Sequence, residues 1–271
     1  MSVERVREVL ADRRLLVLTG AGVSTDSGIP DYRGPGSVPR TPMTYQELVS
    51  GPEAQRRYWA RAHVGWARMG RAEPNATHHA LVRWQREGRL LGLITQNVDG
   101  LHTRAGHVGA IDLHGRIDRV ACLDCGERTG RAALQQRLDA LNPGWADQAV
   151  EHAPDGDAVV EDTDAFVLAA CETCGGRLKP DVVFFGESVA KPLVQHCFDL
   201  TESADALLVL GSSLHVMSGL RFVRRAAALG TPVVVVNRGS TRGDDLATVK
   251  LDAGCAQTLA ALDLPEAAAL R

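Results

Sequence analysis

The sequence predicts an α/β protein: a doubly wound parallel sheet interrupted by a small insert that a metal ion holds together. Three observations predict it. Short apolar runs end repeatedly in small or polar turns, helical spacing separates those runs, and two Cys-x-x-Cys pairs bracket a stretch that shows neither pattern. Nearly unbroken apolar strands are expected where helices cover both faces of a sheet, because neither face then meets water.

Taken in order, MSVERVREVLADRR mixes Glu4, Glu8 and Asp12 with arginines and has no apolar signal core. It predicts an amphipathic helix rather than a secretory or transit peptide. Residues 15–18 form the first strand and run into glycines. Between about residues 34 and 75, RGPGSVPRTP predicts a mobile loop and RRYWARAHVGWARM predicts helices. RLLGLITQNVDG, VVFFGE, DALLVLGSSL and TPVVVVNRG repeat the design of apolar run and polar turn, while residues 78–87, 219–229 and 256–262 carry amphipathic helical spacing. Residues 122–174, with the weakly apolar NPGWADQAVEHAPDGD, predict a small insert with little core of its own. Ligands of such open sheets bind beyond the carboxyl ends of the strands, so chemistry is expected in the polar turns.

Composition bounds the function. The chain has 271 residues, 45% apolar and 23% charged, enough for one large domain or a large and a small one, which excludes disorder as the main state. A net charge of -3 supplies no basic field for nucleic acid or an anionic membrane. No apolar run approaches the ~20 residues that span a bilayer.

The cysteine pairs, Cys122/Cys125 in CLDCG and Cys171/Cys174 in CETCG, have knuckle spacing: a tight turn after the first sulfur brings the second onto the same ion. Four thiolates suit a closed, structural Zn²⁺ site. The alternatives are reduced buried thiols or a redox pair.

The remaining candidates sit at strand ends. GAGVSTDSGIPDYR, residues 20–33, carries small residues that let a backbone approach a pyrophosphate, with a helix start behind them to supply amides and a positive dipole end. Thr25 stands where a third glycine would, and no Lys-Ser/Thr follows, which excludes a P-loop. The turn is also compatible with binding nothing. In TQNVDGLH, Gln96, Asn97 and Asp99 offer donors and acceptors for a ribose or a carboxamide, where a helix cap needs only one such residue. His114 in LHG has an imidazole suited to general-base work on a hydroxyl, although a lone histidine is more often a satisfied core or surface residue. GSSL (Gly211, Ser212, Ser213, Leu214) and VNRG (Asn237, Arg238, Gly239) are two further turns that suit phosphate and ribose.

In this order, GAGVSTDSGIPDYR, TQNVDGLH, LHG, the paired cysteines, KPDVVFFGE, GSSL and VNRG resemble the sirtuin family over nearly the whole chain. QRRYWAR, NPGW, APDGD, CLDCGE, GGRLKPDVVFFGE and TRGDDLA are similar to its class II branch, of the mitochondrial sirtuin-four type. The resemblance implies a single deacetylase sirtuin-type domain with three parts. These are a Rossmann-type NAD-binding large domain (about 1–34, 76–118 and 178–271), a cofactor loop and helical module (about 35–75), and a zinc-binding small domain (about 119–177).

It also implies the activity, an NAD-dependent protein-lysine deacetylase or deacylase: nicotinamide leaves, the acyl group passes to ADP-ribose, and lysine is released. NAD is the co-substrate and one structural zinc is held by Cys122, Cys125, Cys171 and Cys174. Gly20, Ala21, Gly22, Ser24, Asp31, Tyr32 and Arg33 are expected in the cofactor turn and loop, with Gln96, Asn97 and Asp99 around nicotinamide and ribose. Asn97 is taken as catalytic beside His114, the base on a ribose hydroxyl. Gly211, Ser212, Ser213, Asn237, Arg238, Gly239 and Cys255 are expected at the adenosine side. Val183, Phe184 and Leu214 are expected to flank an acyl-lysine peptide that adds as a strand. Phe184 is equally compatible with plain core.

Tyr58 and Arg61 repeat the Tyr-x-x-Arg spacing with which class II relatives receive acidic acyl groups. On a helix that spacing shares one face, which is also compatible with simple solvation. Tyr32 replaces the commoner phenylalanine and Ser212 the commoner threonine. The long stretch between Cys125 and Cys171 resembles a sirtuin-four-type insertion that could approach the acyl channel, which makes strong deacetylase activity less expected and leaves the preferred acyl group, acetyl or an acidic or longer one, open. Acyl-lysine proteins are the expected partners, without nucleic acid or membrane. The expected location is cytoplasmic, and a monomer fits while the sequence leaves the oligomeric state open. Mono-ADP-ribosyl transfer and a weakly catalytic NAD-binding sensor are the competing functions, and a nucleic-acid zinc ribbon is disfavoured by the mixed charges around the cysteines.

Overall fold

A computed structural model describes residues 2–34, 37, 41–147, 160 and 162–262. In chain order the elements are α1 (Val3–Leu10), β1 (Leu15–Thr19), α2 (Tyr45–Leu48), α3 (Pro52–Met69), α4 (Ala76–Arg86), β2 (Leu90–Thr95), α5 (Leu101–Arg104), β3 (Ile111–Asp112), β4 (Gly115–Cys122) and β5 (Arg128–Gly130). They continue with α6 (Arg131–Leu141), β6 (Leu178–Val182), α7 (Lys191–Ser203), β7 (Ala206–Leu210), α8 (Met217–Ala228), β8 (Val233–Val236), β9 (Val249–Leu251) and α9 (Cys255–Ala261).

Six strands form a parallel sheet in the order β3-β2-β1-β7-β8-β9, with neighbours in register from Leu15↔Ala206 to Thr19↔Leu210 at its centre. The two-residue period of a strand divides its apolar side chains between two cores. Leu15 and Val17 of β1, Leu208 and Leu210 of β7, and Val234 and Val236 of β8 pack with α1, α4 and α9. Leu16 and Leu18, Leu207 and Val209, and Val233 and Val235 pack with α7 and α8. The predicted doubly wound architecture is therefore present, and the strand order reverses between β1 and β7, where a ligand crevice opens.

A second sheet, β5-β4-β6, is antiparallel and carries the small lobe. VVFFGE does not join the parallel sheet as its apolar run implied. Val182 ends β6 in the antiparallel sheet, and the residues beyond it form a loop whose Phe185 bridges to Thr44. An apolar run alone does not distinguish a parallel strand from an antiparallel one followed by a buried loop.

The small lobe also has more core than its sequence predicts. Val120, Leu134, Leu138, Phe166 and Leu178 pack against Tyr58, Trp59 and Ala62 of α3. The apolar surface missing from the insert is borrowed from α3, far earlier in the chain, which no local pattern reveals. Arg131 seals this contact, its buried guanidinium lying 5.4 Å from the Trp59 ring and 5.0 Å from Trp66 and donating to the Ala62 carbonyl. In the expected loop RGPGSVPRTP, residues 35, 36 and 38–40 lie outside the described residues, as do residues 148–157 of NPGWADQAVEHAPDGD.

Candidate functional site

The turns after β1 and β7 lock together. Gly20 N–H donates to the Leu210 carbonyl and Gly22 N–H to the Gly211 carbonyl, at 3.0 and 2.8 Å. A Cβ on Gly20 would stand 2.7 Å from the Ser212 Cβ, and one on Gly22 2.9 Å from the Gly211 Cα. These glycines are thus required by backbone packing within the fold as well as by any ligand. The helix start expected behind them is absent: Ala21–Val23 and Thr25–Ser27 are short 3₁₀ turns, and the next α-helix is α2. A macrodipole needs a run of aligned peptides, so it contributes little here.

Beyond these turns lies a cavity of about 1230 Å³ between the sheet edge, the small lobe and the loop after β6. It is lined by Gly20, Ala21, Gly22, Ser24, Asp31, Tyr32, Arg33, Gln96, Asn97, Asp99, His114, Gly211, Ser212, Ser213, Asn237, Arg238 and Cys255 from the cofactor and catalytic expectations. Tyr58, Val183, Phe184 and Leu214 line it from the substrate set. Gly239 and Arg61 are not part of the lining. Gly239 turns the chain with a φ of 78° and donates to Asp252, and Arg61 lies half-buried one helical turn beyond Tyr58. Phe184 does both things asked of it, packing edge-on against Tyr58 at 5.4 Å while bordering the cavity. Leu214, at φ 54°, buries its side chain in the core under α8.

The polar groups are tightly interlinked. Ser24 Oγ donates to Asp99 Oδ2 at 2.7 Å, and Leu101 N–H donates to Asp99 Oδ1 at 2.9 Å. Burial nevertheless pushes the Asp99 carboxyl above its usual range, against the pull of these two donors. Asn97 spends its amide protons on Gly20 O and Ser24 Oγ, both at 3.1 Å, so what it offers a ligand is its carboxamide oxygen. Gln96 Nε2 donates to Ser212 Oγ at 2.8 Å, joining the ends of β2 and β7. Asp31 accepts from Gly34 N–H and from the Ser37 hydroxyl, folding its own loop. At the far end Cys255 is buried and its thiol pushed up to about 12, so it packs as a neutral group.

His114 sits at the turn into β4. Its Nδ1 is 2.8 Å from the Gln96 carbonyl, which only accepts, so Nδ1 carries the proton and Nε2 the lone pair. Nε2 lies 2.7 Å from the Ser218 hydroxyl. Burial, and then the positive charge of Arg221, hold its pKa below the ordinary value, while the bond to Gln96 works the other way. The ring is therefore neutral at physiological pH, as a base must be. Sequence reasoning missed Ser218 and Arg221 because they belong to α8 and meet His114 only in the folded chain.

The four knuckle cysteines converge, their sulfurs all within 4.8 Å of one another. Cys122 Sγ to Cys174 Sγ is 3.6 Å and Cys125 Sγ to Cys171 Sγ is 3.8 Å. A tetrahedron of ~2.3 Å zinc–sulfur bonds has edges of about 3.8 Å, so the donor set fits zinc. None of the four lines the cavity, and the site is remote from the candidate chemistry.

His78, His102 and His107 form a buried cluster below the cofactor turn, with ring centroids 4.7 and 6.5 Å apart and His102 Nε2 bonded to Thr19 Oγ1. Desolvation lowers all three, His78 to about 4. A folded pKa below the unfolded value means that the unfolded chain binds more protons, so this contribution is complete above pH ~6.5 and is lost as pH falls toward 4. Asp112, pushed up to about 6 by burial, acts in the opposite sense. His78→Gln keeps an acceptor for the Asn75 amide and removes the titration. Between pH 7.5 and 4.5 the variant should lose less stability than the parent in urea unfolding, by on the order of 3 kcal/mol. Identical pH slopes would show that His78 does not titrate on unfolding.

The Sir2 family model matches residues 20–218. The chain is 56% identical over 259 residues to NAD-dependent protein deacetylase 1 of Mycobacterium avium, covering 94% of this chain and 92% of that protein. It is 46% identical over 271 residues to the mitochondrial NAD-dependent protein lipoamidase sirtuin-4 of Bos taurus, covering 96% and 86%. Among solved structures it resembles a complex of Sir2 with a p53 peptide and NAD+, at a TM-score of 0.76 and 29% identity over 97% of each chain.

Proposed function

The chain belongs to the Sir2 family, and on that premise we propose how its cavity performs the family's reaction. The protein is an NAD-dependent protein-lysine deacylase: it moves the acyl group of a modified lysine to ADP-ribose and releases nicotinamide. NAD is its co-substrate, and a structural zinc ion belongs to its fold. Its substrates are proteins, and among the described residues no helix is long and apolar enough to cross a membrane. We place it in the cytoplasm, where thiols stay reduced for zinc, and as a monomer, since one chain supplies every residue assigned.

The observation that carries the assignment of roles is His114, neutral, fixed in one tautomer and bordering the cavity. An amide oxygen is a weak nucleophile, so the site must hold it against the ribose carbon, keep water out and favour the departure of nicotinamide. Asn97, Asp99 and Ser24 form the polar wall that orients ribose and carboxamide, and the turns at residues 20–24 and 211–213 approach the phosphates through backbone and hydroxyls. Asn237, Arg238 and Cys255 face the adenosine. His114 Nε2 takes a proton from a ribose hydroxyl, which then attacks the acyl-bearing carbon. The cysteine site holds the small lobe, and the loop after β6 supplies the far wall through Val183 and Phe184.

Acyl-lysine peptides incubated with NAD, followed by nicotinamide release and peptide mass, test this reading. Loss of the acyl mass with stoichiometric nicotinamide is expected; a peptide that instead gains the mass of ADP-ribose would redirect the assignment to ADP-ribosyl transfer. On the same panel, Tyr58→Phe should lose about tenfold or more on glutaryl-lysine relative to acetyl-lysine, as removal of a hydrogen bond to a charged group does. Arg61→Met should act more weakly, since Tyr58 lines the cavity and Arg61 does not. Equal losses on both acyl groups would remove the carboxylate contact.

A further inference from the structure

His114 is held at both nitrogens, but by partners of different kinds. The Gln96 carbonyl on Nδ1 is fixed and accepts only. The Ser218 hydroxyl on Nε2 lines the cavity and stands on the first turn of α8, placed there by a helix whose Leu220, Phe222 and Val223 are anchored in the core. With the proton on Nδ1, the 2.7 Å contact at Nε2 is Ser218 donating.

The chemistry needs that contact to reverse. When the O–H bond of the ribose hydroxyl breaks, its proton forms an N–H bond at Nε2 and its electron pair forms the new bond to the acyl-bearing carbon, whose π pair to the lysine nitrogen moves onto that nitrogen. The ring is now an imidazolium, and both nitrogens donate. Its surroundings oppose the charge: it is desolvated, Arg221 lies nearby, and among the described residues its hydrogen-bond partners are a carbonyl and a hydroxyl rather than a carboxylate. A hydroxyl is the one partner in place that can yield the Nε2 lone pair to the substrate and then accept the Nε2–H by rotating its own proton away.

We propose that Ser218 is a positioning residue for this reaction, holding the His114 ring with Nε2 toward the cavity and accepting the Nε2–H after proton transfer. The proposal rests on His114 being the base. It separates two halves of the reaction, because cleavage of the nicotinamide bond needs no base whereas attack of the ribose hydroxyl does.

The test compares Ser218→Ala, Ser218→Thr and His114→Ala in the full-length, zinc-loaded protein. Exchange of labelled nicotinamide into NAD, in the presence of an acyl-lysine peptide, reads the first half; deacylated peptide reads the second. Ser218→Ala should lower deacylated product about ten- to a hundredfold while exchange stays within about twofold of the parent, the loss expected for one hydrogen bond to a charged group. Ser218→Thr, which keeps the hydroxyl, should retain at least about a third of product formation. Product formation by Ser218→Ala within twofold of the parent, a parallel fall of exchange and product, or a threonine variant as poor as alanine would each overturn the proposal. His114→Ala marks the other failure: if it still deacylates normally, the base assignment itself is wrong, whereas an inactive His114→Ala beside a normal Ser218→Ala refutes the role of the serine alone.

Discussion

His114→Ala is expected to lower acyl-lysine turnover by about 10²–10⁴-fold, the range lost when a positioned general base is removed. NAD binding and zinc content should be preserved, because among the described residues the ring bonds to the Gln96 carbonyl and the Ser218 hydroxyl and neither bond holds an element in place. The expectation singles out one of nine histidines on structural grounds. His63 and His78 are buried away from the cavity, and His102 is tied to Thr19. His215 borders the cavity but is exposed, so water reaches its ring. Among the described residues only His114 combines a cavity position with a carbonyl on Nδ1 that leaves Nε2 basic. The check is a steady-state assay of deacylated peptide with separate calorimetry of NAD binding. Unchanged turnover would strip His114 of its role, and a variant that also fails to bind NAD would point to a structural defect instead.

The second large effect concerns the metal. Cys125→Ser, or removal of zinc by a strong chelator, is expected to release one zinc per chain, lower the melting temperature by on the order of 10 °C and abolish deacylation. The cysteines are far from the reacting groups, so the loss of activity must travel through the fold. Cys122 ends β4 and Cys171 and Cys122 lie in the same core as Tyr58, Phe184 and Leu178, while Val183 N–H donates to the His114 carbonyl at 2.8 Å. Loosening the knuckles therefore loosens the cavity wall at Val183 and Phe184 and the turn that carries His114. Metal analysis, thermal melting and activity measured on the same samples check the coupling. Full activity in a zinc-free protein would show that the lobe's apolar core suffices without the ion.

Much of the candidate site is legible along the chain because each motif is local. GAG, QNVD, LHG and GSS lie at the ends of strands, and parallel strands bring their carboxyl ends to one edge, so local motifs become neighbours by topology. The knuckles are legible for a similar reason, as a four-sulfur site needs only two correctly spaced pairs. What escapes is whatever depends on a partner far away in sequence. VVFFGE reads as a strand of the main sheet until pairing shows Val182 opposite Gly115. β3 and β9, at two and three residues, are too short to show a period and exist because a longer strand lies beside each. The insert's own Leu134, Leu138 and Phe166 complete a core only together with Trp59 and Tyr58 of α3.

The residue order alone determined the class of fold, the four cysteines that can hold zinc and the set of turns that line the cavity, since these follow from periodicity and short spacings. Folding in three dimensions decided that Gly20 and Gly22 meet Gly211 and Ser212, that Tyr58 borders the cavity while Arg61 does not, and that His114 meets Ser218. Those outcomes rest on steric contact and hydrogen bonding between groups as much as 192 residues apart, and such energies belong to no single segment of the chain.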